Sequence, residues 1–181
     1  MLGVAAIPLR RRFALALVAL VLSGLLFHAQ IADALVTRGD SFMQSGRTAR
    51  AERYYQRALW WDPGSTIAAD RFAFASFQLR TPAALAAGIA VASGALARAP
   101  GDWQLLLDRA LCLQSAGRLR EARADFAHAA EIRRDPQLLH FAGWAAFRSG
   151  DASAARRYWR AALQIDPTFA PAVLALHTVR R

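Results

Sequence analysis

Small residues return at fixed offsets at three places in this chain, and that recurrence restricts the fold more than any other feature. Gly39, Ala110 and Gly143 each stand seven residues before a glycine, namely Gly46, Gly117 and Gly150. Beyond each of those glycines come an alanine (Ala51, Ala122, Ala155), an aromatic (Tyr55, Phe126, Trp159) and a second alanine (Ala58, Ala129, Ala162), at offsets of 5, 9 and 12. The last three positions are spaced i, i+4 and i+7, which is one face of a helix. A glycine just before such a face ends the preceding helix, because a left-handed backbone there needs no Cβ. The small residue one helix earlier lets two helices approach closely, and the aromatic fills the space between the alanines. The pattern therefore predicts helical hairpins. Two of the three close on Asp-Pro, at Asp62-Pro63 and Asp166-Pro167.

With these residues and a spacing near 34, the chain resembles the tetratricopeptide repeat family. The resemblance covers about 32–169. Gly46 and Gly117 are 71 residues apart, two periods plus three, so a degenerate repeat is expected between them. Its end is visible in Pro100-Gly101-Asp102, and Arg80-Thr81-Pro82 replaces its glycine turn. Gly88 and Gly94 weaken its second helix by about 1 kcal/mol each relative to alanine, which makes it the softest repeat. The implied fold is all-α: a right-handed solenoid of about four hairpins, with repeats at 32–65, 66–102, 103–135 and 136–169. First helices are expected near 33–45, 66–79, 103–116 and 136–149, second helices near 48–61, 82–98, 119–133 and 152–165. A 34-residue unit cannot bury its own apolar face, so stacking must stabilise it. The segment 170–181 is expected to cap the last repeat as a helix.

The N-terminus carries a second signal. Arg10-Arg11-Arg12 precedes Phe13–Ala32, twenty residues without a charge. As a helix that length is about 30 Å, the thickness of a bilayer core. The expectation is a cytoplasmic tail at 1–12, one transmembrane anchor at 13–32 and a repeat domain at 33–169. A signal peptide cleaved near Ala32-Asp33-Ala34 is the rival, but cutting there would remove the start of the first repeat. The arginines before the span point the N-terminus to the cytoplasm and the repeats to the other side of the membrane. All 23 basic residues are arginine and 42 residues are alanine, a bias of GC-rich bacterial coding sequences. The expected location is then the bacterial inner membrane with the repeats in the periplasm.

No arrangement of residues supports catalysis, a cofactor or a metal site. His28, His128, His140 and His177 are scattered, Cys112 is alone, and no glycine-rich phosphate loop is present. In the tetratricopeptide family the first helix of each repeat lines a concave groove. By spacing, the resemblance places Asp33, Val36, Asp40 and Met43, then Asp70, Phe74 and Phe77, then Leu107 and Leu111, and finally His140, Trp144, Phe147 and Arg148 along it. Such a groove, acidic at one end and apolar at the other, suits a peptide or helix with apolar anchors and a cation. A second surface is basic: Arg47, Arg50, Arg53 and Arg57 form a stripe, echoed by Arg156, Arg157 and Arg160. Without the first three arginines, 20 still face 13 acids. That face suits anionic headgroups or an acidic partner, and either surface is open as the interface. The expected function is a membrane-anchored, non-enzymatic scaffold that holds a protein partner, in assembly of an envelope complex of the cytochrome-maturation, secretion, pilus or exopolysaccharide kind. The alternatives are a permanent small subunit of a membrane enzyme complex and a cleaved periplasmic adaptor. No nucleic acid and no small-molecule substrate are expected.

Overall fold

The computed structural model describes residues 9–178. Among them are nine helices and no strand: α1 Leu9–Gln44, α2 Thr48–Trp61, α3 Thr66–Leu79, α4 Pro82–Leu96, α5 Trp103–Ser115, α6 Leu119–Arg133, α7 Pro136–Arg148, α8 Ala152–Ile165 and α9 Ala170–Thr178. Successive helices pack in pairs, and α1, α3 and α5 also lie side by side. The hairpin boundaries match the repeat offsets to within a residue or two. The difference is at the start, where α1 runs unbroken through both the expected span and the first helix of the first repeat. No proline interrupts 9–44, and one helix of 36 residues results.

Among the described residues no helix is long and apolar enough to cross a membrane. The expected anchor at 13–32 rests largely on side chains outside the described residues; residues 1–8 of the tail expected at 1–12 and residues 179–181 of the expected cap also lie outside them, while 9–12 begin α1. The described part of the expected cap forms α9, whose Ala172 and Ala175 pack with Trp159 and Ala162.

The repeat positions do what their spacing requires. Ala51, Ala58, Ala122, Ala129, Ala155 and Ala162 are fully buried, and so are Tyr55, Phe126 and Trp159. At Gly143 an added Cβ would run into the Trp159 indole, and at Gly39 into the Tyr55 ring. The turn glycines Gly46, Gly117 and Gly150 have φ of 71°, 80° and 88°, left-handed as expected.

Two corners of the solenoid, at Arg80 and Arg134, share one device. Arg80 and Arg134 take the left-handed conformation with φ of 54° and 53°. In each case the next residue caps the following helix: Thr81 Oγ1 accepts from Ala84 N–H, and Asp135 Oδ1 accepts from Gln137 N–H at 2.8 Å. A proline then opens the helix at a position whose N–H has no intrahelical partner. Arg-x-Pro thus replaces the glycine turn at 80–82 and the Asp-Pro close at 134–136.

The two glycines of the second repeat's second helix differ in their surroundings. Gly88 is buried, and a Cβ there would come within 2.8 Å of Ser76 Cβ and 3.1 Å of Cys112 Sγ. It is a close-packing site, whereas Gly94 has open space around it.

Candidate functional site

The helices α1, α3, α5 and α7 carry the residues expected to line the groove, and the structure sorts those residues into three groups. The first is a polar hollow at the α1–α3 junction, lined by Asp40, Met43, Gln44, Tyr55, Arg71 and Phe74. Tyr55, anchored in the core against Gly39, donates its hydroxyl to Asp40 at 2.7 Å. Arg71 lies between two acids, 3.4 Å from Asp40 and 2.9 Å from Asp70. Asp70 in turn hydrogen-bonds Asp108 of α5, whose side chain is buried.

Two carboxyls that meet away from water cannot both ionise cheaply. Burial, and then the Asp70 charge, push Asp108 up to about 9, so at neutral pH it carries a proton and donates to Asp70. Burial raises Asp70 as well. Burial and then the bond to Asp40 raise the Tyr55 hydroxyl, which stays protonated. With Asp108 neutral, one guanidinium faces two carboxylates, which leaves a single net negative charge on this wall of the groove.

The second group is apolar. Phe77 and Leu111 share a hollow with Arg80, Leu85, Gln114, Ser115 and Arg148. Phe74 stands 6.4 Å from Phe77, centroid to centroid, and is 36% exposed. Phe147, 37% exposed, meets Trp144 edge-on at 5.8 Å. The groove therefore passes from a charged hollow through exposed phenylalanines to Arg148.

The third group does not reach the groove. Val36 is buried with Ala32, Ala51 and Tyr55, because it sits on the face of α1 that meets α2. His140 is buried too: its Nε2 accepts the Trp144 indole N–H at 2.9 Å and its carbonyl accepts that of Trp159 at 3.3 Å. Burial lowers its pKa, so the ring is neutral and ties two tryptophans together. Trp144 is half-buried by the same contacts. Leu107 is half-buried against the core, and Asp33 is exposed and belongs to neither hollow.

The basic surface is more organised than its spacing implied. Arg50, Arg53 and Arg57 border a hollow with Phe42 and Tyr54. The Arg38 and Arg50 guanidiniums lie over Phe42 at 5.6 and 5.9 Å, and Arg57 lies over Tyr54 at 5.7 Å. Among the described residues none of Arg47, Arg50, Arg53, Arg57, Arg156, Arg157 and Arg160 makes an ion pair. Arg109 behaves differently. It forms two 2.7 Å bonds to buried Asp125 and a third to Ser93, joining α4, α5 and α6.

Spacing missed Arg71, Asp108, Phe42 and Tyr54. Asp108 was legible in principle, as the one acid within an otherwise apolar stretch of α5, Leu105–Leu113, apart from the basic Arg109 beside it. Among the described residues no cluster of three or more His, Cys, Asp or Glu is placed to hold a metal ion.

The comparisons bear on the fold. The tetratricopeptide repeat model matches residues 32–65, the span expected of the first repeat. No curated protein sequence matches the chain significantly. A crystal structure of MamA protein superposes with TM-score 0.69 at 19% identity over 77% of this chain and 75% of that one. MamA 41-end from Desulfovibrio magneticus RS-1 gives 0.68 at 15% identity, over 76% of this chain and 77% of its own. A structure titled "Functional Characterization of Pseudomonas Aeruginosa pilF" gives 0.68 at 19% identity, over 84% of this chain and 68% of its own. Residues 32–65 thus match the tetratricopeptide repeat model, and the helical solenoid of which they are part has the fold of the MamA and PilF structures.

Proposed function

We propose that this chain is a non-enzymatic scaffold that holds a segment of a partner protein in its concave groove, next to the membrane that anchors it. The observation that carries the reading is the groove itself. A net-negative hollow built from Asp40, Arg71, Asp70 and Asp108 lies next to exposed Phe74 and half-exposed Phe77 on the same helix. An extended or helical segment with a basic residue and one or two apolar anchors complements both parts. The uncharged run Phe13–Ala32 behind Arg10–Arg12 supports an anchor with the N-terminus in the cytoplasm and the repeats in the periplasm of a bacterial inner membrane. Assembly of an envelope complex is the setting this architecture serves best.

Capture from detergent-solubilised membranes tests the groove. Phe74→Ala and Phe77→Ala should each weaken partner capture by about 1–3 kcal/mol with helicity unchanged. Asp70→Asn should weaken it further where the partner presents a cation. Trp144 is a poor probe, because truncating it also opens the core around Trp159. Arg50, Arg53 and Arg57 changed together to Gln test the competing basic face, and a loss there should depend on salt. If the arginine change abolishes capture and the phenylalanine changes do not, the groove reading is wrong. Topology is tested separately. A phosphatase active only outside the cytoplasm, fused after Arg181, should be active, and the chain should resist carbonate extraction from membranes.

A further inference from the structure

We infer that the edge of the solenoid where second helices end and first helices begin rests on the bilayer surface, with Trp60 and Trp61 at headgroup depth. The inference rests on the anchoring proposed above and adds which surface of the domain touches lipid.

The geometry follows from α1. It is one continuous helix, so the apolar run that ends at Ala32 and the first helix of the first repeat share an axis. Heights along that axis are then fixed by residue number. The antiparallel α2 has 14 residues and returns about 20 Å along α1. It ends where the Trp61 ring meets the ring of His28 edge-on at 5.2 Å. His28 lies within the last turns of the uncharged run. The end of α2 is therefore level with the outer end of the expected span, and the rest of the hairpin stands above it.

The residues at that level have the chemistry of an interface. Trp60 is 74% exposed and packs edge-on against Trp61 at 5.0 Å. Phe27, one residue before His28, is exposed, and so is Ile67 in the first turn of α3. Trp61 is half-buried against the first-repeat core, but the exposed Trp60 indole beside it is poorly placed in water and well placed in the headgroup layer, where the ring is buried and the N–H stays wet. Arginines join them along the same edge. Arg98 donates to the Pro63 carbonyl at 2.8 Å, and Arg133 lies over the Trp103 ring at 4.5 Å. Guanidiniums at this level complement anionic headgroups. The carboxylates there, Asp62, Asp102 and Asp135, each accept backbone N–H groups at a turn or a helix start, whose dipoles offset part of their charge. An edge pressed to the bilayer also sets the domain's orientation, which keeps the groove helices upright over the membrane.

The test uses purified full-length protein in vesicles of phosphatidylethanolamine and phosphatidylglycerol, so that only lipid can cover the edge. A nitroxide is attached at Trp60→Cys and, separately, at Ala116→Cys, an exposed position at the opposite ends of the hairpins. Cys112 is buried with its thiol pushed up to about 12, and stays unlabelled. Ile67→Cys is the second reporter, should Trp60→Cys fold poorly. The expected result is a label at 60 or 67 that shifts toward apolar oxygen and away from a water-soluble nickel complex, with the label at 116 reading as aqueous. Labels at 60 and 67 as water-accessible as that at 116, in protein that resists carbonate, overturn the inference and leave the anchor standing. Protein that carbonate extracts from the vesicles overturns both.

Discussion

Replacing Asp108 by asparagine should flatten the pH dependence of this protein's stability and raise its stability at neutral pH. In the folded chain Asp108 is 6% exposed, hydrogen-bonded to Asp70, and pushed up to about 9 by burial first and the Asp70 charge second. Unfolded, the carboxyl titrates at its ordinary value of about 3.9. Between those values the folded state holds a proton that the unfolded state has released. Stability therefore falls as pH rises: the contribution is complete below about 4 and lost through about 9. One proton corresponds to a slope of about 1.4 kcal/mol per pH unit, so the wild-type chain should lose about 2–3 kcal/mol between pH 5.5 and 7.5. Asp70 is raised for the same first cause and adds to the slope in the same direction. Asparagine keeps the shape, can still donate to Asp70, and does not titrate. Urea unfolding of the full chain in neutral detergent, followed by helical circular dichroism at several pH values, reads the difference. Wild type and Asp108→Asn should agree at about pH 4 and separate by about 4–5 kcal/mol at pH 7.5, with the variant the more stable. Parallel profiles for the two proteins would refute the shared proton.

The two glycines of α4 should respond in opposite ways. Gly88→Ala meets Ser76 and Cys112 and should cost about 1–3 kcal/mol, whereas Gly94→Ala has open space and should gain about 1 kcal/mol, both read as shifts in urea midpoint. Asp125→Ala strands Arg109 between α5 and α6 and should cost about 3–5 kcal/mol, while replacing both by apolar residues of similar volume should recover most of that loss. A cationic partner bound at Asp70 should draw the Asp108 proton off. Calorimetric binding enthalpy should then change with the ionisation enthalpy of the buffer in wild type and not in Asp108→Asn.

The hairpins were legible because their offsets encode contacts that have one solution. Gly39 opposite Tyr55, and Gly143 opposite Trp159, each specify a helix pair, its register and its crossing point at once. The corners at Arg80 and Arg134 were half legible. Pro82 and Pro136 marked helix starts, but nothing in the identity of an arginine announces a left-handed backbone, which the cap and proline that follow impose on it. The groove was legible only as a set of positions. Spacing along a helix gives direction, and exposure depends on what the neighbouring helix places opposite. Val36 met α2 and His140 met two indoles, so both left the groove for the core. Arg71 and Asp108 entered it from positions the periodic rule leaves out, because a long guanidinium reaches sideways and a carboxyl on the adjacent helix turns to meet a second acid. Those two residues decide the groove's charge. A reading from Asp40 and Asp70 alone gives two negative charges on this wall, whereas Arg71 and the proton on Asp108 leave one. A partner selected by one charge and two phenylalanines is held by shape and apolar contact, with the cation setting its register.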